Sequence, residues 1–145
     1  MRQRSVPQPV GSIMTSRVIT VRPDVPVTEA IAAFERFRFR HLLVVDDAGR
    51  LVGVLSDRDT LRCVARGWDP AEALVSSIMN TKPAAVRVDA SVKEAIDLMS
   101  FHRVHCLPVL DGSGALRGIV TTSDVLGMLY DLLDHLEAPE PLPAA

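Results

Sequence analysis

The sequence predicts an α+β fold built from two copies of one strand-helix-strand-strand-helix unit, related by a pseudo-twofold axis. Three observations lead there. Gly53-Val54-Leu55-Ser56-Asp57-Arg58-Asp59 and Gly118-Ile119-Val120-Thr121-Thr122-Ser123-Asp124 share one grammar: a glycine, two strand-forming aliphatics, a hydroxyl residue, two variable positions, and an aspartate that opens an apolar helical pattern. The offset of 65 residues between them, carried outward without a gap, gives 20 identities over the 52 positions from Val10 to Leu61, an internal duplication. A half of about 60 residues buries too little surface to stand alone, so the two copies are expected to pack on each other rather than as separate beads.

The elements follow in order. Residues 1–9 hold two prolines, two arginines and no apolar periodicity, and read as a flexible N-terminal arm. Residues 10–14 and 75–79 read as short helical lead-ins, the second introduced by Asp69-Pro70-Ala71-Glu72 as N-cap, first-turn proline and acidic third position. Brief extended segments follow at 18–21 and 84–88. Val27, Ala30, Ile31 and Phe34 then fall at helical spacing, as do Val92, Ala95, Ile96 and Met99. Ser91-Val92-Lys93-Glu94 reads as a capping box, whereas Pro26 leaves the first of these helices without a side-chain cap. Residues 42–45 and 107–110 read as buried strands, each followed by a turn with Asp and Gly, and 51–55 and 116–120 return as hairpin partners. Helices are expected over 57–66, ended by Gly67, and over 122–137. Trp68 in the linker reads as a packing plug between the repeats. Prolines 139, 141 and 143 end any helix, so the organisation is arm 1–9, first repeat 10–68, second repeat 69–137 and flexible tail 138–145.

Composition narrows the function. The 145 residues carry sixteen basic and eighteen acidic side chains, a net charge of −2, and no long basic run, which argues against nucleic acid as a partner. Apolar runs such as 42–45 are far short of a membrane span, and the N-terminus lacks a signal-peptide core, so a soluble cytoplasmic protein is expected. Cys63 and Cys106 stand in unlike contexts and read as reduced, partly buried thiols rather than a disulfide or metal site. The sequence has no nucleophile elbow, phosphate-binding Gly-Lys loop, zinc-binding His-Glu-x-x-His or Cys-x-x-Cys, and it is not expected to be an enzyme.

The element order, the two Gly-x-x-Ser/Thr-x-x-Asp stretches and His102-Arg103-Val104-His105-Cys106-Leu107-Pro108-Val109-Leu110-Asp111 together resemble a tandem pair of CBS domains, the Bateman module, over nearly all of residues 10–130. The resemblance implies two repeats packed through their sheets. It also implies two clefts between them for adenosine-containing ligands such as AMP, ADP, ATP or S-adenosylmethionine, with no other cofactor required. An ionised carboxylate accepts hydrogen bonds from both ribose hydroxyls, a role that suits Asp59 and Asp124, while Ser56 and Thr121 can donate to ribose or phosphate. Backbone N–H groups at the same helix starts favour an anion. The family places phosphate partners at His102 and Arg103. The first repeat has Phe37 and Arg38 at these positions, with Arg36, Arg40 and His41 beside them, and its phosphate contacts are therefore expected to be the weaker. Adenine is expected against Thr20-Val21 and Ala85-Val86 and against the strands at Leu42-Leu43 and Leu107-Pro108. Beside this stands a plainer reading, in which Ser/Thr-x-x-Asp before an apolar helix is a capping box that needs no ligand. His41 and His105 likewise also read as ordinary packed or edge residues.

The function these readings imply is a ligand-sensing regulatory module that signals to an unknown protein target. The alternative is a structural or oligomerising CBS-pair protein with degenerate sites; a remoter one is a subunit lending the module to an enzyme on another chain. Val125, Leu129, Leu132 and Leu136 form a stripe at helical spacing, flanked by Leu126 and Leu133. Internal core is the commoner fate of such a stripe. CBS pairs, however, associate through their helices into flat antiparallel dimers, and a homodimer is expected.

Overall fold

The duplicated pattern folds into the same elements twice. The computed structural model describes residues 8–137 and residue 143. The tail expected at 138–145 and the arm expected at 1–9 lie outside the described residues, apart from residue 143 and the pair Gln8 and Pro9. A 3-10 turn at Val10–Ser12 leads to β1 (Thr20–Val21), α1 (Val27–Phe37), β2 (His41–Val45), β3 (Leu51–Ser56) and α2 (Asp57–Ala65). A second 3-10 turn at Val75–Ser77 leads to β4 (Val86–Arg87), α3 (Val92–His102), β5 (Cys106–Leu110), β6 (Leu116–Thr121) and α4 (Thr122–Glu137). Each repeat forms one three-stranded sheet, in the order β1-β2-β3 or β4-β5-β6, with the first pair parallel and the second antiparallel. The registers match across the repeat: His41 pairs with Ser56, and Cys106 with Thr121.

The lead-ins cross over. Val10 packs with Val86, Ala95, Met99, Leu107, Val109 and Val120 of the second repeat, while Val75 packs with Ala30, Leu42, Val44 and Leu55 of the first. Hydrogen bonds follow the same exchange. The Val10 N–H donates to the Ala90 carbonyl at 2.7 Å and the Val75 N–H to that of Val25 at 2.9 Å. Thr15 and Ile119 exchange a pair of backbone bonds, and so do Asn80 and Val54. Moving each partner by one repeat turns one set of bonds into the other, the reciprocal pattern a twofold axis requires. Neither core is complete without the other copy, which ties the halves together.

The crossing explains the glycine that begins each motif. A Cβ on Gly53 would stand 2.6 Å from the Met79 sulfur and 2.9 Å from the Asn80 carbonyl oxygen, and one on Gly118 would stand 2.6 Å from that of Thr15. Only glycine lets the exchanged backbone come this close.

Several expectations need correction. Gln8 and Pro9 are held at the start of α3, where the Gln8 carbonyl accepts from the Val92 N–H at 3.3 Å and Pro9 bridges Ser91. Half of the Ser91-Glu94 box forms, with the Ser91 hydroxyl accepting from the Glu94 N–H at 3.1 Å. Asp69-Pro70-Ala71-Glu72 makes a single turn, because the chain straightens at Leu74 to bridge Pro26 across the repeat boundary. Trp68 is no plug: it is 43% exposed, under the Arg66 guanidinium at 5.8 Å. The stripe on α4 is not internal core either, since none of its described residues is buried.

Candidate ligand cleft

Two helices begin where the repeats meet, and each carries a full capping box. The Asp59 carboxylate accepts from the Ser56 N–H at 2.8 Å while the Ser56 hydroxyl accepts from the Asp59 N–H at 3.2 Å. Thr121 and Asp124 repeat these bonds at 2.8 and 3.2 Å. The plainer reading of the motif is thus realised in both copies. Each carboxylate oxygen offers two acceptor directions, so these bonds fix the aspartates without exhausting them. Their second oxygens differ: that of Asp124 accepts from the Thr15 hydroxyl at 3.1 Å, whereas that of Asp59 lies 3.5 Å from the Arg62 guanidinium. Thr15 reaches Asp124 only because the first lead-in crosses to the second repeat.

Both helix starts open into one continuous cleft of about 1320 Å³. Of the candidate residues it gathers Arg38, His41, Ser56, Asp59, Arg103, Pro108, Thr121 and Asp124. Thr20, Val21, Leu42, Ala85, Val86 and His102 do not line it. The physical reasons are local. Strand residues alternate in direction, and Leu42 points with Val44 into the first core, so Leu43 lies at the cleft. Val21 and Val86 likewise pack into the two cores, and the backbone that borders the cleft lies earlier, at Val18, Ile19, Pro83 and Ala84. His102 ends α3 on the outside, its ring edge-on to Phe101 at 5.0 Å. The next residue turns the chain inward. Arg103, and Arg38 in the first repeat, adopt left-handed backbone at φ 55° and 54°, a conformation usually left to glycine and kept where the surroundings enforce it.

Leu43, expected against adenine, does line the cleft, as do Arg58 and His105, while Thr15, Arg17, Arg62 and Asn80 line it without having stood out in the sequence. For Leu43 the repeat itself held the signal, since its equivalent is Pro108. Nothing local marked Thr15 and Asn80, whose position depends on the exchange.

Charge in the cleft is mainly positive: Arg17, Arg38, Arg40, Arg58, Arg62 and Arg103 stand against Asp57, Asp59 and Asp124. Burial holds the pKa of His41 below its ordinary 6.5; Asp57 and Asp59 pull it up and His105 and Arg40 push it down, and burial prevails. Cys106 also lines the cleft, but burial raises its thiol pKa to about 11, so it remains protonated rather than a nucleophile or thiolate ligand. Both cysteines are free and buried. Among the described residues no three His, Cys, Asp or Glu side chains come together to hold a metal ion, and no helix is long and apolar enough to cross a membrane.

The CBS domain model matches twice, at residues 10–66 and 75–131. A CBS domain-containing protein of Dictyostelium discoideum is 35% identical over 136 residues, spanning 86% of this chain and 93% of its own length. The crystal structure of CBSX2 in complex with AMP superposes with a TM-score of 0.76 at 28% identity, covering 86% of this chain and 98% of that one. The cytosolic domain of the Mg²⁺ channel MgtE in complex with ATP gives 0.72 at 37% identity, covering 83% of this chain and 48% of that one. The chain spans only 26% of the magnesium transporter MgtE of Thermus thermophilus and 23% of the inosine-5'-monophosphate dehydrogenase of Nitrosopumilus maritimus, which it also matches. The duplicated motif, the exchanged lead-ins and these matches lead to one conclusion: the chain belongs to the CBS domain family, as a tandem pair.

Proposed function

We propose that this chain is a cytoplasmic, non-catalytic regulatory module that binds an adenosine-containing ligand, AMP, ADP, ATP or S-adenosylmethionine, between its repeats and passes occupancy to a protein target. The proposed working units are 10–68 and 69–137, in a homodimer. The observation that carries the reading is the convergence of Asp59 and Asp124, each at a helix start, on one cleft with an excess of arginine. A carboxylate beside backbone N–H groups and guanidinium groups offers a ribose its acceptors and a phosphate its donors. Ser56 and Thr121 stand next to each carboxylate, and the apolar floor at Leu43 and Pro108 suits a base. The AMP bound to CBSX2 and the ATP bound to the MgtE cytosolic domain support the ligand class.

One observation favours a second reading, a structural CBS pair with degenerate sites: both aspartates already cap their own helices. Asp124→Asn separates the two, because the amide oxygen retains the cap while the charge is lost. On the sensor reading, calorimetry gives an adenylate affinity lower by about 1.5–3 kcal/mol, the range for a hydrogen bond to a charged group, with a smaller change in fold stability. Unchanged affinity for AMP, ATP and S-adenosylmethionine in both Asp59→Asn and Asp124→Asn, with stability reduced instead, would leave these residues as caps alone.

A further inference from the structure

The pseudo-twofold relates the two ends of the cleft in backbone but not in charge. On α2, Asp57, Arg58, Asp59 and Arg62 all line the cleft; on α4 the lining residues are Thr122, Ser123 and Asp124. The equivalent of Arg58 is Ser123, and the equivalent of Arg62 is Gly127. The loops over the two helix starts differ as well. The Arg40 carbonyl accepts from the first N–H of α2 at 3.0 Å, and the His105 carbonyl does so for α4 at 2.9 Å. Arg38 and Arg103 are equivalent, both line the cleft and favour neither end; Arg17 lines it too, whereas its equivalent Lys82 does not.

Arg40, Arg58 and Arg62 against Asp57 and Asp59 leave one positive charge in excess at the α2 end. At the α4 end, with histidine counted as neutral, Asp124 leaves one negative charge in excess, or no net charge when Arg17 of the crossing lead-in is counted with it. A difference of at least one charge inside one cleft acts directly on a charged ligand. The Asp124 carboxylate is met by a neutral hydroxyl, whereas the Asp59 carboxylate is met by a guanidinium that is about two-thirds exposed. Arg62 can therefore swing from Asp59 towards a ligand's phosphate without leaving a packed site.

We infer that the two ends of the cleft select ligands of different charge: the α2 end takes an adenosine with a di- or triphosphate, and the α4 end an adenosine compound without net negative charge. Arg58 and Arg62 are the specificity-determining residues, and the stronger phosphate contacts belong to the first repeat, the reverse of what Phe37 in place of His102 led the sequence to suggest. The inference rests on the adenylate reading above.

Calorimetry of the full chain with ATP, adenosine and S-adenosylmethionine tests it. Arg58→Ser with Arg62→Gln should weaken ATP about tenfold more than it weakens adenosine, the loss of charge-assisted bonds. Asp59→Asn should remove the tighter ATP step while Asp124→Asn leaves it, and S-adenosylmethionine should show the opposite dependence. Equal losses for ATP and adenosine in the arginine variant, or loss of the tighter ATP step through Asp124→Asn alone, overturns the assignment while leaving the sensor reading in place. Binding of none of the three to the wild type overturns the assignment, and the absence of AMP and ADP binding as well overturns the sensor reading with it.

Discussion

His41 opens β2 at the wall of the cleft, where desolvation outweighs the attraction of Asp57 and Asp59 and depresses its pKa. The unfolded chain thus takes up this proton at a higher pH than the folded one. The stability contributed by the neutral imidazole is complete above the ordinary 6.5 and is lost as pH falls through the folded pKa. Denaturant midpoints at about pH 7.5 and about pH 5.5 should therefore fall further for the wild type than for His41→Gln. Parallel declines would show that the ring is solvated. The sequence left His41 between packed residue and ligand contact, because burial at a strand start depends on what closes over it. The same limit applied to Arg38 and Arg103. A left-handed helix end is usually announced by Gly or Asn, and two arginines give no such notice, yet this turn is what directs them into the cleft.

Element patterns were legible wherever one face alone is buried. Val27 and Ala30 on α1, and Val92, Ala95 and Met99 on α3, point inward at helical spacing, and both hairpins follow their Asp and Gly turns. A strand buried on both faces reads as a continuous apolar run, so Leu42 and Leu43 could not be assigned to core and cleft. The crossing of the lead-ins was illegible for another reason: self-similarity tells which residues are equivalent, not which copy they pack against. The motif glycines now acquire a measurable role. Gly118→Ala forces a methyl group against the Thr15 carbonyl and the Met14 sulfur, at 2.6 and 3.1 Å, and should destabilise the fold by about 1–3 kcal/mol. Gly127 is the contrast, inside α4 with open space around it. Gly127→Ala should stabilise by about 0.5–1 kcal/mol, through helix propensity and a less flexible unfolded chain. Urea unfolding of both variants checks the pair; equal effects would mean that the lead-in does not press on β6.

For the whole molecule the open question is what covers the helices. On α4, Leu126, Leu129, Leu132, Leu133 and Leu136 are all exposed, Leu136 by 78%, and the equivalent helix α2 exposes Leu61 and Val64. Single exposed leucines are ordinary; five on one helix, repeated in part on its twin, form the kind of contiguous patch that marks an interface. The proposed homodimer would use this face, because α2 and α4 are exchanged by the internal pseudo-twofold and present similar faces for a symmetric, self-complementary contact. The same helices begin in the cleft at Asp59 and Asp124. Asp124 and Leu132 are about 12 Å apart along the α4 axis at 1.5 Å per residue, so a ligand that shifts the helix start also bears on the apolar face. Light scattering at micromolar concentration should give about twice the 15.8 kDa chain mass. Leu129→Glu with Leu132→Glu should reduce it to the chain mass with the fold intact by circular dichroism, since both positions lie outside the two cores. A wild-type monomer would instead assign the stripe to a different protein and remove self-association from the route by which ligand occupancy is read.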